Sequence, residues 1–304
     1  MEKRFPTGIL ATCVIPWDED LRLLEGLFRE EIRLLLRETP HLYVMGTAGE
    51  GYALSEAQYT QVVDVFVSEM KAGDAEPMVG IISMSVTDVH RKIEIAQARG
   101  VRLFQVSLPG WGPCTDTEIT TFFDEVCGRH TDCRFLHYNL LRSRVLVTPA
   151  QYARIAAKHE NLVATKNTTD SISTLASLIA STPQVQHFLA DIALPFGWLV
   201  GECGLLVSIA STNWKTARRY YELCRTGQTA AAMDLQADLV QMTGQLRAMV
   251  EPHAHMDGSF DKMYARLHLP GFPLRLLPPY QGVPEEVFQR YGALLKERYP
   301  RWHP

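Results

Sequence analysis

The sequence has no long apolar run, no closely spaced cysteine pair and no block of one charge, and each absence removes a class of protein. The apolar stretch near the start, within MEKRFPTGILATCVIPWDED, ends at Pro16 and gives way to acidic residues, which is too short for a signal-peptide core or a membrane span. The cytoplasm is therefore the expected compartment, with no membrane partner. Cys13, Cys114, Cys127, Cys133, Cys203 and Cys224 lie far apart in the chain, so neither a disulfide framework nor a zinc site is expected, and reduced buried thiols are. Thirty lysines and arginines stand against 34 aspartates and glutamates, and the interspersed signs leave no basic face for nucleic acid. What is present is an ordinary globular composition: 304 residues, 46% hydrophobic and 21% charged, enough to bury a sizeable core.

Short β-rich runs alternate with longer stretches of helical period. The runs are GILATCV (8–14), LYVMG (42–46), MVGII (78–82), VRLFQVS (101–107), CRFLHYN (133–139), LVATK (162–166), VQHFLA (185–190) and LLVSIA (205–210). Between them, DLRLLEGLFREEIRLLLRE, SEAQYTQVVDVFVSEMKAG, SVTDVHRKIEIAQARG and SISTLASLIAST each open on Ser or Asp as an N-cap. Strand and helix in strict turn require parallel strands with crossover helices, and eight such units close most naturally into a (β/α)8 TIM barrel. From about Arg225 the alternation stops. One long helical pattern and two shorter ones follow, so the expected division is a catalytic barrel over 1–224 and a C-terminal helical extension over 225–304.

In such a barrel the C-terminal strand ends share one mouth, which gathers GTAGE (46–50), HYN (137–139) and TKN (165–167). Strands 5 and 6 are neighbours, so Tyr138 and Lys166 stand side by side. Two readings are open. Lys166 is an amine whose ammonium is disfavoured by burial, beside a phenol that moves protons; or it snorkels to water past a packed Tyr138. The GTAGE turn offers backbone N–H groups to an anion, as many strand-to-helix turns do without binding one.

Taken together, GTAGEGYALSE, YNLLRSRVLVTP and ATKNTTD, with 28 residues from Tyr138 to Lys166, resemble the dihydrodipicolinate synthase and N-acetylneuraminate lyase family of Schiff-base pyruvate aldolases. SFDKMYARLHLPGFPLRLLPPY is similar to that family's closing segment. The resemblance implies that Lys166 forms an imine with pyruvate or a related 2-oxo acid. It implies Tyr138 as general acid and base, and Thr47 as the group that positions the phenol and passes protons. The N–H groups of Ala48 and Gly49 would hold the substrate carboxylate, with Leu205 and Leu206 closing the pocket. It further implies no cofactor or metal beyond the covalent imine on Lys166, small-molecule oxo acid and aldehyde partners, and a homo-oligomer, dimer or tetramer.

The departures from the family pattern bear on substrate. Ala48 replaces a hydroxyl residue, removing one hydrogen bond worth typically about 1 kcal/mol. The loop SLPGWGPCTD lacks the synthases' tyrosine pair. Ser143 stands where synthases carry an arginine, flanked by Arg142 and Arg144, which either grip a second carboxylate after a one-residue slip or are solvated. The segment ADIALPFGWLVGECG carries a bulky Trp198. These features point away from the lysine-biosynthetic synthase. Trp111 in LPGWGP resembles the Pro-x-Trp of hydratase-aldolases that cleave benzylidenepyruvates, where an indole would cover an aromatic substrate end, though a packing anchor fits the same position. A catalytically lapsed, oxo-acid-binding member is a further alternative. HAH (253–255) reads as a solvated helix end, His137 as facing away from Tyr138, and Asp170 as a helix cap.

Overall fold

Eight strands account for the centre of the molecule in the computed structural model, which describes residues 2–169 and 171–304. They are β1 (Ile9–Cys13), β2 (His41–Val44), β3 (Met78–Ile81), β4 (Leu103–Val106), β5 (Arg134–Asn139), β6 (Leu162–Asn167), β7 (Gln186–Ala190) and β8 (Gly204–Leu206). Each pairs in parallel with the next, and β8 pairs with β1, so the sheet closes. The strand residues are almost all buried, as they must be when side chains on one face fill the barrel and those on the other meet a ring of helices. That ring is α1 (Glu25–Leu36), α2 (Glu56–Ala72), α3 (Val86–Gln97), α4 (Asp116–Phe123), α5 (Pro149–Lys158), α6 (Ile172–Ser181), α7 (Leu194–Trp198) and α8 (Trp214–Arg225), followed by α9 (Thr229–Val250), α10 (Gly258–His268) and α11 (Glu285–Arg298). The (β/α)8 barrel with a helical C-terminal extension is thus the observed fold.

The local chemistry of the helix starts holds at several junctions. Ser55, Thr115 and Thr148 each form a reciprocal capping box, with Gln58, Glu118 and Gln151, and such caps contribute about 1 kcal/mol apiece. Ser171 caps α6, while the Asp170 expected there lies outside the described residues. Two starts differ from expectation. Ser85 precedes α3 without a side-chain cap bond. The helix expected from Asp20 begins only at Glu25, because Asp18 Oδ1 accepts from the N–H of Asp20 and Arg22, and Trp17 bridges to Leu23, folding that segment into a turn. Strand 8 is also shorter than expected. Asp191 accepts from the backbone N–H of Ser208 and Ile209, which takes those amides out of the ladder, and Ile209–Thr212 is a 3-10 turn.

Inside the barrel, Leu10, Tyr43, Met78, Leu103, Leu136, Ala164, Phe188 and Leu206 form one apolar cluster, closed from below by Phe5. Buried residues of α9, α10 and α11 belong to the same outer cluster as the barrel helices. The start of α10 lies on the β2 turn: a Cβ on Gly258 would stand 2.8 Å from the Ala48 carbonyl oxygen, so only glycine allows that approach. The C-terminal extension therefore covers part of the mouth.

Candidate active site

Lys166 sits near the end of β6, opposite Tyr138 on β5 in the strand register. Its side chain points into the barrel and is only 5% exposed. The Nζ donates to the Tyr43 hydroxyl at 2.6 Å and lies 3.7 Å from the centre of the Tyr138 ring and 4.6 Å from that of Tyr43. The lysine does not snorkel to water. Burial pulls its pKa down to about 7, opposed by the carboxylates of Asp257 and Asp261. Burial acts in the other direction on the phenols: Tyr138 is raised chiefly by desolvation, then by Asp257, while Arg142 works against the rise, and Tyr43 is raised well above its ordinary value by desolvation first. The Thr47 hydroxyl approaches the Tyr138 phenol closely enough to offset part of that rise. It makes no bond of good geometry, and its oxygen is buried without a partner among the described residues. Lys166, Tyr138 and Thr47, separated by up to 119 residues, are brought together. Nothing in the motifs singled out Tyr43; its place, one residue before the end of a barrel strand on the inward face, was the available signal.

The turn after β2 is built for close approach. Glu50 N–H bonds to the Thr47 carbonyl and Gly51 N–H to that of Gly46, both at 3.2 Å. The N–H groups of Ala48 and Gly49 donate to nothing among the described residues, leaving two adjacent donors of the kind that cradle anions. A Cβ at Gly49 would lie 2.8 Å from Met45 N and 2.9 Å from the Cys13 carbonyl, which explains that glycine. The Ala48 methyl packs with Val14, Leu269 and Phe272, so a hydroxyl there would meet an apolar cluster rather than open space. Glu50 is fully buried and accepts from Trp17 Nε1 at 3.0 Å, Lys262 Nζ at 2.6 Å and Leu277 N–H at 2.6 Å. It ties the C-terminal extension to the turn.

That extension also brings acids to the mouth. Asp257 pairs with Arg142 at 2.7 Å. Ser208, just after β8, donates its Oγ to Asp261 at 3.4 Å and its N–H to Asp191, linking a buried carboxyl after β7 to one on α10. Burial raises both acids, Asp191 to about 7 and Asp261 well above the ordinary range, where Asp257 adds to the effect. Nothing local in the sequence marks Asp257 or Asp261, because they reach the barrel mouth only through tertiary folding.

The other site candidates separate. Leu206 faces the barrel interior, whereas Leu205 packs outward among the helices, so of that pair only Leu206 can border a ligand in the barrel. Arg142 points to Asp257, while Arg144 is left-handed at φ 59° and bonds the Gly110 carbonyl through Nε at 3.2 Å. Ser143 is buried, its hydroxyl on the Leu108 carbonyl. Trp111 is 86% exposed, so it is not a packing anchor among the described residues. His137 faces outward, its Nδ1 2.6 Å from the Tyr152 hydroxyl.

Comparison with known proteins shows the family and the fold. The family model for the dihydrodipicolinate synthetase family matches residues 5–257. A 4-hydroxy-tetrahydrodipicolinate synthase from Methanopyrus kandleri is 23% identical over 252 residues, 81% of this chain and 83% of that enzyme. Among solved structures, a prophage protein of the dihydrodipicolinic acid synthase family from E. coli K12, in complex with pyruvate, superposes with a TM-score of 0.84 at 20% identity, covering 96% of this chain and 98% of that one. A dihydrodipicolinate synthase family protein from Coccidioides immitis gives 0.81 at 24% identity, covering 99% of both.

Proposed function

The chain belongs to the dihydrodipicolinate synthetase family, whose members are lyases acting on pyruvate, and on that premise we propose that it is a Schiff-base lyase, a class I aldolase or dehydratase, for pyruvate or a related 2-oxo acid. One observation carries the reading: the amine of Lys166 is sealed between two phenols and held near a pKa of 7, so a large share of it is uncharged and nucleophilic at neutral pH. The amine captures the C2 carbonyl of the oxo acid. The resulting iminium draws electrons from C3, so a bond at C3 to carbon or hydrogen breaks without a free carbanion. Tyr138 moves the protons, positioned by Thr47, and the free N–H groups of Ala48 and Gly49 receive the carboxylate. Arg142 grips a second anionic group at the mouth by exchanging Asp257 for it. The covalent imine replaces any organic cofactor.

Treatment with borohydride and pyruvate is expected to inactivate the protein and add a reduced pyruvyl mass to the peptide containing Lys166. An unmodified Lys166 under saturating pyruvate would overturn the proposal. The buried Ser143 and the tyrosine-free β4 loop support a role other than lysine biosynthesis. The exposed indole of Trp111 on a mouth loop supports a second reading, a hydratase-aldolase for aromatic benzylidenepyruvates. A panel of 2-oxo acids and aldehydes, read by pyruvate release, separates the two. A lapsed binding protein would bind pyruvate yet fail to exchange its methyl protons with heavy water. Met84 and Leu141, apolar and exposed on loops beside Trp111, support a homo-oligomer.

A further inference from the structure

Gln105 on β4 is fully buried, and neither its Oε1 nor its Nε2 has a hydrogen-bond partner among the described residues. Folded proteins leave few buried amides unpaired, because each unpaired atom has lost its hydration for nothing. Leu103, two residues earlier on the same strand, belongs to the barrel interior, so Gln105 points there too. Its depth is fixed by two observations. A Cβ on Gly46 would lie 2.6 Å from Tyr43 Cε2 and 3.0 Å from Gln105 Oε1, which places the amide beside the ring whose hydroxyl accepts from Lys166. The strand registers, taken with the one-residue stagger per strand of an eight-stranded barrel, put Tyr43, Gln105, Lys166 and Leu206 in one layer contributed by alternate strands. Tyr138 belongs to the next layer towards the mouth.

The chemistry of the amide limits what it can bind. It presents a donor and an acceptor together. A carboxylate only accepts and would leave Oε1 unpaired; an ammonium only donates and would leave Nε2 unpaired; water or a hydroxyl satisfies both. The amide stands beside the Tyr43 ring, whose hydroxyl accepts from the lysine nitrogen, so the substrate oxygen it would meet is the one on the carbon that this nitrogen attacks, the rest of a bound oxo acid leading upward to Tyr138.

We propose that Gln105 binds the C2 oxygen of the oxo acid through the carbinolamine stage and then holds the water that this oxygen becomes. The inference rests on the Schiff-base reading of Lys166. As the N–C2 bond forms, the carbonyl π pair moves to oxygen, which takes a proton from the nitrogen to give the carbinolamine. A second proton, from the Tyr138 hydroxyl, reaches that oxygen. The C2–O bond then breaks with its electron pair, water departs, the nitrogen lone pair forms the C=N bond, and the phenolate is left beside the iminium. Gln105 Nε2 donates to the oxygen throughout, and Oε1 accepts from it once it carries hydrogen.

Exchange of the pyruvate C2 oxygen with 18O-water reports this step directly. In Gln105→Met, which keeps the volume and removes both hydrogen-bonding atoms, enzyme-catalysed exchange is expected to fall at least about tenfold, with imine formation and hydrolysis slowed together. The equilibrium fraction of Lys166 trapped by borohydride should stay within about threefold, because a group acting on the oxygen in transit changes both rates and not their ratio. A folded variant that exchanges within twofold of wild type overturns the proposal. Should the variant not fold, a high-resolution crystal structure of the wild-type protein decides: an ordered oxygen bonded to both amide atoms is expected, and an amide paired instead with protein groups overturns it. Wild-type Lys166 that cannot be trapped at all would instead sink the Schiff-base reading, and this inference with it.

Discussion

On the proposed Schiff-base chemistry, the pH dependence of pyruvate capture follows from how Lys166 is housed. An exposed lysine amine, with its ordinary value of 10.5, is uncharged in only about 3 molecules in 10,000 at pH 7, whereas one lowered to about 7 is uncharged in about half, a gain of roughly a thousandfold in reactive amine. The assay is a rapid mix with saturating pyruvate, quenched into borohydride, with the Lys166 adduct quantified by mass spectrometry from about pH 5.5 to 9.5. The capture rate should rise about tenfold per pH unit at the acid end, bend near 7 and be flat above about 8. Asp257→Asn and Asp261→Asn remove the carboxylates that favour the ammonium, so each should move the bend to lower pH. A rate still climbing tenfold per unit through pH 9 would refute the claim that burial, and not a neighbouring base, prepares the amine. Stability follows the same group: between about pH 7 and 10.5 the unfolded chain holds a proton that the folded one has lost, so Lys166 lowers stability as pH falls through that window, and Lys166→Met should remove this slope.

Tyr138→Phe keeps the ring beside the lysine nitrogen and deletes the hydroxyl; turnover measured by pyruvate release should fall about 10²–10⁴-fold while Lys166 is still trapped at equilibrium. Lys262→Met leaves the buried Glu50 carboxylate without its ion-pair partner and should cost about 3–5 kcal/mol, a fall in Tm of about 6–10 °C. The double variant with Glu50→Gln should recover part of that loss in the same melting experiment, and a double variant as unstable as the sum of the singles would contradict the assignment. Asp191 is raised to about 7 in the folded protein, so it favours the folded state below its unfolded value near 4, and that contribution disappears as pH rises through 7. Asp191→Asn does not titrate, so its Tm relative to wild type should be higher at pH 8 than at pH 5; a pH-independent difference would contradict the shift.

The eight strands were legible because burial on both faces writes a short apolar run for each, and the helices because their period differs. Boundaries failed where a side chain competed with the backbone, as Asp18 does before α1 and Asp191 does at the end of β8. Tyr138 and Lys166 were legible because adjacent parallel strands fix their neighbours by register alone. Leu205 and Leu206 were not separable without knowing which residue of β8 points inward.

The sequence by itself determined the barrel, the lysine–phenol pair and the glycine-rich turn after β2, since each depends on local period, strand order or a short motif. Only the tertiary structure decided what surrounds that pair: Tyr43 and Gln105 in the lysine's own layer, Asp257 and Asp261 delivered from α10, and the Glu50–Lys262 tie that fixes α10 over the turn. The division has one physical cause. Register and periodicity act between neighbours along the chain or the sheet, while the pKa of a buried amine is the sum of every charge and every lost water around it, and those come from segments that meet only when the chain has folded.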